Sequence, residues 1–492
     1  MTQPPGAARP WTLVWDRLLV EPRRPQAIRE REDAHWFAVA AVCIGAFMGQ
    51  LDASIVTVAL PTLQRTFDAT VGEVTWVGLS YLLVLVATVT AVGRFADMWG
   101  RKLLYVYGFV VFTLASLLCG LAPGLGALCG FRALQALGAA MLQANSLAII
   151  VLVMPGRALG RAIGLQGTAQ ALGLALGPSV GGLLLAAGGW RLIFLVNVPF
   201  GILGAVAAVL LVPRSRDLAP RERFDWVGLA LFFPAVVALL SAISFGNQLG
   251  WGSAAILGLF AVAVVLGTVF FLREDIVANP MLDLALFRRA RFSLGITSGL
   301  GSYLVMFGLL LLVPFYLEHA LGAGTARSGL ELMAMPLAFA VVAPLAGRWA
   351  DLVGARPLTV SGMAVTGAAL LAMGALRPTT PGLVALIAAV GVGLGLFTSP
   401  NNASIMGAAP EDQAGMASGV LNMTRGLGTA LGLAVTASVF AGNGGSAGTA
   451  SLAAHAFSVT SIVLAGVAAL TMVVAALRGS GPLADTKLSA VE

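Results

Sequence analysis

Long apolar runs alternate with short charged or Pro/Gly breaks along the whole chain, and the runs exceed the length a soluble core helix needs. Reading from break to break predicts spans over 36–60, 73–93, 103–121, 126–153, 160–187, 191–212, 226–245, 253–272, 292–317, 328–347, 357–376, 381–405, 412–440 and 455–477. A helix crosses the hydrocarbon core with about 20 mostly apolar residues, so the pattern predicts an all-α polytopic membrane protein with fourteen transmembrane helices. Seven of the nine tryptophans (Trp36, Trp76, Trp99, Trp190, Trp226, Trp251 and Trp349) fall at or near span ends, where amphipathic rings prefer to sit.

Composition removes the alternatives. Of 492 residues 58% are hydrophobic and 10% charged, with a mean hydropathy of +0.92, against about 25% charge in a soluble domain. No set of globular cores hides that much apolar surface, so the lipid bilayer is the partner. The 60 glycines lie largely inside apolar runs and predict close helix packing. Cys43, Cys119 and Cys129 sit in apolar stretches without metal-ligand spacing and predict small buried side chains, with no metal site. The net charge of +7 is a topology signal: with the N-terminus in the cytoplasm, 23 Lys and Arg fall on the inner side and four on the outer. Both termini are thereby expected in the cytoplasm of a plasma-membrane protein, and no nucleic-acid partner is needed. Residues 1–35 are too charged for a cleavable signal peptide, so span 1 is expected to act as an uncleaved anchor. Within that tail Trp11, Leu13, Val14, Trp15, Leu18 and Leu19 match a short interfacial helix, an unstructured tail being the alternative.

An internal repeat organises the spans. Gly93-Arg-Phe-Ala-Asp97-Met-Trp-Gly100 recurs as Gly347-Arg-Trp-Ala-Asp351-Leu-Val-Gly354 at an offset of 254, and Pro155, Gly160, Ala162, Gly164, Gly173 and Gly177 match Pro410, Gly415, Ala417, Gly419, Gly428 and Gly432 at 255. Two homologous six-helix halves follow, both starting on the same side. The expected layout is a cytoplasmic tail (1–35), a six-helix domain (36–212), a linker with two additional helices (213–291), a second six-helix domain (292–477) and a cytoplasmic tail (478–492).

These residues resemble a known family. Gly93 to Lys102 looks like the loop signature of the major facilitator superfamily, with Met98 in place of a usual basic residue. Arg132-Ala-Leu-Gln135-Ala-Leu-Gly138 resembles its fourth-span arginine motif, with Ala136 for a usual glycine. Gly173-Leu-Ala-Leu-Gly177-Pro178-Ser-Val-Gly181-Gly182 matches the fifth-span antiporter motif. The stretches from Leu51 to Pro61 and from Trp190 to Gly201 look like first- and sixth-span signatures of fourteen-span drug:proton antiporters. The resemblance covers about residues 36 to 477 and implies a proton-driven exporter of lipophilic small molecules such as antibiotics, working as a monomer by alternating access, without a cofactor and with protons as the coupling ion. Export of an endogenous lipid or secondary metabolite is the runner-up, and nutrient uptake the third reading.

Polar residues inside spans mark the candidate chemistry, because charge in hydrocarbon must be neutralised, paired or wetted. Asp52 lies near mid-membrane: a proton carrier, or a fixed partner of Arg132. Arg132 and Gln135 share a helix face three residues apart, suiting either coupling or snorkelling to the interface. Glu331 is a second coupling carboxylate or an interfacial one. Gln166, Gln170, Gly173 and Gly177 form a polar-to-small stripe, a seal for antiport by resemblance and generic packing otherwise. By resemblance Asp97, with Gly93, Gly100, Arg101 and Lys102, engages the start of span 13 as a gate; Asp351 and Arg356 form its looser copy. Asn422 and Arg425 lie on one face of span 13, to bind an anionic substrate group or to balance an acid. Phe47, Tyr81, Tyr303, Met306 and Phe307 line a cavity or simply pack.

Other classes lack their residues. Lys102 and Lys487 are each followed by leucine, so no phosphate-binding G-K-[ST] exists. His35, His319 and His455 lie at or outside span ends, with neither H-E-x-x-H nor G-x-S-x-G, so the chain is not expected to be an enzyme.

Overall fold

The computed structural model describes residues 21–69, 71–215, 224–322, 325–445 and 449–478, and every regular element among them is helical. The candidate interfacial segment from Trp11 to Leu19 lies outside the described residues. In chain order the first half comprises α1 (Ala34–Phe67), α2 (Val71–Trp99), α3 (Arg101–Gly120), α4 (Leu125–Val153), α5 (Leu159–Gly188) and α6 (Trp190–Leu211). Two further helices follow, α7 (Trp226–Leu249) and α8 (Ala254–Glu274). The second half comprises α9 (Ala290–His319), α10 (Ser328–Val353), α11 (Ala355–Leu376), α12 (Thr380–Ala408), α13 (Ala414–Gly442) and α14 (Ala450–Ala476).

Among the described residues twelve helices are long and apolar enough to cross a membrane, thirteen when α5, bent by 45° at Pro178, is taken as one span. The expected count of fourteen is therefore not confirmed. The helix that falls short is α13, where Ser418, Asn422, Arg425 and a run of glycines dilute the apolar residues. Two spans carry interruptions that hydropathy did not reveal: α6 turns at Val196, and α10 breaks at Met333. Helix α1 runs through Pro61 to Phe67, beyond its expected end, because Leu63 is still fully buried against the bundle.

Glycine decides how the halves meet. Helix α2 crosses α13 where Gly93 lies on the backbone of Gly415, and α10 crosses α5 where Gly347 lies on that of Gly160. The repeat exchanges these two contacts, since Gly93 and Gly347 are mates, as are Gly160 and Gly415. A methyl group at any of the four would strike backbone, and at Gly160 and Gly415 the carboxylates of Asp351 and Asp97 as well. The turns that follow α2 and α10 also match: Gly100 has φ 110° and Gly354 φ 84°, a conformation that favours glycine.

Helices α7 and α8 stand outside this symmetry. Helix α7 packs on α2 and α13, and α8 leans mainly on α7. Only 17% of the apolar stretch of α8 is buried, against 72% for α4, so most of α8 is left to lipid. Their ends are joined by charge: Asp225 caps α7 by accepting from the Gly228 N–H at 2.9 Å and pairs with Arg273 at the end of α8. Burial works to raise the Asp225 carboxyl, but Arg273 and the Gly228 N–H together hold it below the usual carboxylate range.

A short strap closes the first half. The Glu21 carboxylate accepts from the Ser215 N–H at 2.6 Å and hydroxyl at 2.8 Å, while Arg214 donates to the Glu21 carbonyl at 2.8 Å. Beneath it the fully buried Lys102 donates to the carbonyls of Pro22 and Val209 at 2.8 and 2.7 Å.

Candidate functional site

Three helices of the first half converge on Asp52. Its carboxylate is wholly buried on α1 and accepts from Arg132 Nη1 of α4 at 2.7 Å, Gln135 Nε2 of α4 at 2.9 Å and Asn197 Nδ2 of α6 at 2.8 Å. The spacing of three residues puts Arg132 and Gln135 on the same acceptor. Arg132 is equally enclosed: Nε donates to the Val77 carbonyl at 3.1 Å, Nη1 also reaches Gln135 Oε1, and the guanidinium lies 4.2 Å from the centre of the Tyr81 ring. Gln135 Nε2 also donates to Ser116 Oγ at 2.8 Å. The structure thus realises the pair with Arg132 and not the snorkelling arginine. Burying two charges costs several kcal/mol each unless their remaining lone pairs and protons are answered, and here they are.

Sequence reasoning missed Asn197, Ser116 and the Val77 carbonyl. Asn197 carried a signal, an amide in an otherwise apolar span; a backbone carbonyl carries none.

The small-residue stripe of α5 packs α5 against the helix that bears Asp52. Gly173 faces the backbone of Phe47 and Leu51, Gly177 faces Ser54, and Gly181 faces Ile55. Ser54 Oγ in turn reaches the Gly173 carbonyl at 3.3 Å. Gly182 faces open space, so packing gives it no role in this arrangement. Pro178 marks the bend of α5.

A pocket opens between the halves, lined by residues that include Gln50, Gln170, Tyr303, Met306, Phe307, Phe339 and Arg425. It is a small, partly open cleft, with about 40 Å³ available to the centre of a water-sized sphere. Arg425 is only 7% exposed, with its guanidinium 5.0 Å from the centre of the Tyr303 ring. Its Nε and Nη1 have no hydrogen-bond partner among the described residues.

Several expected cavity residues stand elsewhere. Gln135 serves Asp52, and Gln166 is buried on α5 outside the pocket lining. Asn422 donates to the Gln143 carbonyl at 3.0 Å and to that of Ser418, so it clamps α13 to α4. Phe47 packs on Phe200, with ring centres 6.2 Å apart. Tyr81 sits on Arg132. Glu331 is half-buried on the short first segment of α10, before the Met333 break, and does not line the pocket.

The loop motifs form two closed clasps at one end of the bundle. Asp97 accepts from the Gly415 and Met416 N–H groups, both at 2.8 Å, at the start of α13, where the helix presents unsatisfied donors and positive potential. Arg101 brackets the same carboxylate at 2.9 Å and reaches across to the Glu411 carbonyl. Lys102 takes no part in that clasp and belongs to the strap. In the second half Asp351 accepts from Gly160 N at 2.9 Å and Arg161 N at 3.2 Å at the start of α5. Arg356 is exposed and makes no ion pair with Asp351, so the copy lacks its arginine.

Comparison with known proteins gives the architecture its place. The chain is 33% identical over 408 residues to the riboflavin transporter RibZ of Clostridioides difficile, covering 82% of this chain and 88% of that one. It is 36% identical over 404 residues to the multidrug resistance protein Stp of Mycobacterium tuberculosis, covering 82% and 75%. The human organic anion transporter MFSD10 (TETRAN) has the same fold, with a TM-score of 0.66 at 15% identity over 90% of this chain and 99% of that one. The profile of the Major Facilitator Superfamily matches residues 42–276 and 292–491. The duplicated helix bundle, the paired clasps and these similarities agree: this multi-pass membrane chain is a transporter of the Major Facilitator Superfamily, and not an enzyme.

Proposed function

We propose that the chain is a proton-driven exporter of lipophilic small molecules that works by alternating access, with the clasped end facing the cytoplasm. The observation that carries this reading is Asp52: a fully buried acid at mid-helix, held across α1, α4 and α6 by groups that all belong to one half. Protonation removes its charge, converts one acceptor oxygen into a donor and releases Arg132 from its partner, so proton occupancy and helix arrangement are tied together. A proton taken up from outside and given up inside gains about 2.3 kcal/mol per 100 mV, which offsets substrate expulsion. The clasps of Asp97 and Asp351 hold the cytoplasmic end shut until that exchange shifts the balance. Similarity to the resistance protein Stp supports export.

Transport of a metabolite is the second reading, favoured by the relative named as a riboflavin transporter. Everted membrane vesicles test the coupling: Asp52→Asn is expected to abolish both resistance of the host to toxic lipophilic compounds and substrate-induced proton release. Unchanged proton release in Asp52→Asn would overturn it.

A further inference from the structure

The two deep arginines differ in what answers them. Arg132 meets a carboxylate, an amide, a carbonyl and an aromatic face. Arg425 meets only the face of Tyr303, leaving Nε and Nη1 without partners while the side chain lines the pocket. A guanidinium does not lose its proton at physiological pH, so it stays charged there. Among the described residues no acidic side chain lines the pocket, and the acid nearest in function, Asp52, already accepts three donors within the first half. The formal charge of the pocket lining is therefore positive, and no described residue of that lining balances it.

The repeat sharpens this. Position 425 lies 255 beyond 170, the offset that relates Gly160 to Gly415, so Arg425 is the mate of Gln170, and both line the pocket from equivalent places on α13 and α5. One half presents a neutral amide and the other a cation. The asymmetry lies in the lining of the pocket. Gln50 adds a second amide from the first half, and the rest of the lining, with Tyr303, Met306, Phe307, Met335 and Phe339, is mainly apolar and aromatic.

Resting on the exporter reading, we propose that Arg425 is the recognition point for an anionic oxygen group, and that the transported molecules are largely apolar compounds carrying one carboxylate or phenolate. The fork of N–H donors suits such an oxygen pair, Gln170 opposite supplies a neutral donor and acceptor, and the aromatic wall takes the apolar body. A permanent cation would be repelled by Arg425 and would find no counter-charge.

Binding to the purified full chain separates the outcomes. Fluorescein serves as the anionic aromatic probe and ethidium as the cationic one, followed by fluorescence anisotropy at low ionic strength in one fixed buffer free of added carboxylates, so that buffer anions compete equally in every arm. The wild-type chain is expected to bind fluorescein, and Arg425→Gln to weaken it at least about tenfold while leaving ethidium unchanged or tighter. Arg425→Lys, which keeps the charge but not the fork, is expected to fall between, and its melting temperature checks that the bundle is intact. Equal fluorescein affinity in wild type and Arg425→Gln, or no fluorescein binding at all, overturns the proposal. Everted vesicles distinguish it from the reading beneath it: export of ethidium but not fluorescein overturns the anion preference and leaves an exporter, whereas fluorescein binding without export of either dye overturns export and leaves the site.

Discussion

Two arginines buried to a similar degree, 1% exposed for Arg132 and 7% for Arg425, occupy opposite halves of one duplicated bundle and have opposite surroundings. In the first half the charge is consumed internally: Asp52, Gln135, the Val77 carbonyl and Tyr81 answer Arg132, and the cluster lies outside the pocket lining. In the second half Arg425 has one aromatic neighbour and faces the pocket. At the offset of 254 the mate of Asp52 is Met306, so duplication left the second half without an acid there. Depth in a membrane helix thus says only that a charge is costly. What answers the charge decides whether it is structural or available to a ligand.

Replacing each arginine by leucine is the strongest way to break this comparison. Arg132→Leu leaves Asp52 buried without its cation and is expected to destabilise the bundle by about 3–5 kcal/mol. Arg425→Leu removes a buried charge that no ion pair among the described residues balances, and is expected to leave the melting temperature unchanged or higher. Thermal unfolding in detergent reads both; equal losses would show that Arg425 also has a structural partner.

The gate carboxylates give a smaller contrast. Asp97 holds two backbone N–H groups and Arg101, whereas Asp351 holds two backbone N–H groups alone. Asp97→Asn is expected to release the clasped end by about 1.5–3 kcal/mol, and Asp351→Asn by less. Spin labels at the exposed positions Trp99 and Leu352 would report the widening as a longer inter-label distance. A larger opening in Asp351→Asn would reverse the ranking of the two halves.

The smallest effect concerns α7 and α8, which belong to neither half. The folded Asp225 carboxyl lies below its ordinary value, so its contribution is fully present above about pH 4 and fades as the pH falls through the lower folded value. Hydrogen exchange over residues 225–285 is expected to quicken at that acid limit while α1 to α6 stay protected. Uniform quickening would mean that Asp225 does not hold the helix pair locally.

Much of this was legible in the residues, for physical reasons that also set the limit. Hydropathy located the helices because lipid demands long apolar runs, yet it left the crossing of α13 unconfirmed, where Asn422, Arg425 and a run of glycines lower the very signal being read. The repeat foretold both clasps, since Asp97 and Asp351 recur with their glycines. It did not foretell that Arg356 stays exposed or that Lys102 turns to the strap, because side-chain direction depends on which carbonyls the tertiary fold brings near. Likewise the face shared by Arg132 and Gln135 was readable from spacing, and pairing of Asp52 with Arg132 was one of the two readings of that acid, but the bond from Gln135 to the same acid and the amide from α6 were not.

The strap has a consequence for biosynthesis. Glu21 is synthesised almost two hundred residues before its partners Arg214 and Ser215. At about 5–20 residues per second that interval is roughly 10–40 seconds, during which Glu21 waits without its partners and Lys102 without the Val209 carbonyl. The first half is therefore latched only when its sixth helix is complete, and the contact joins the start of that half to its end.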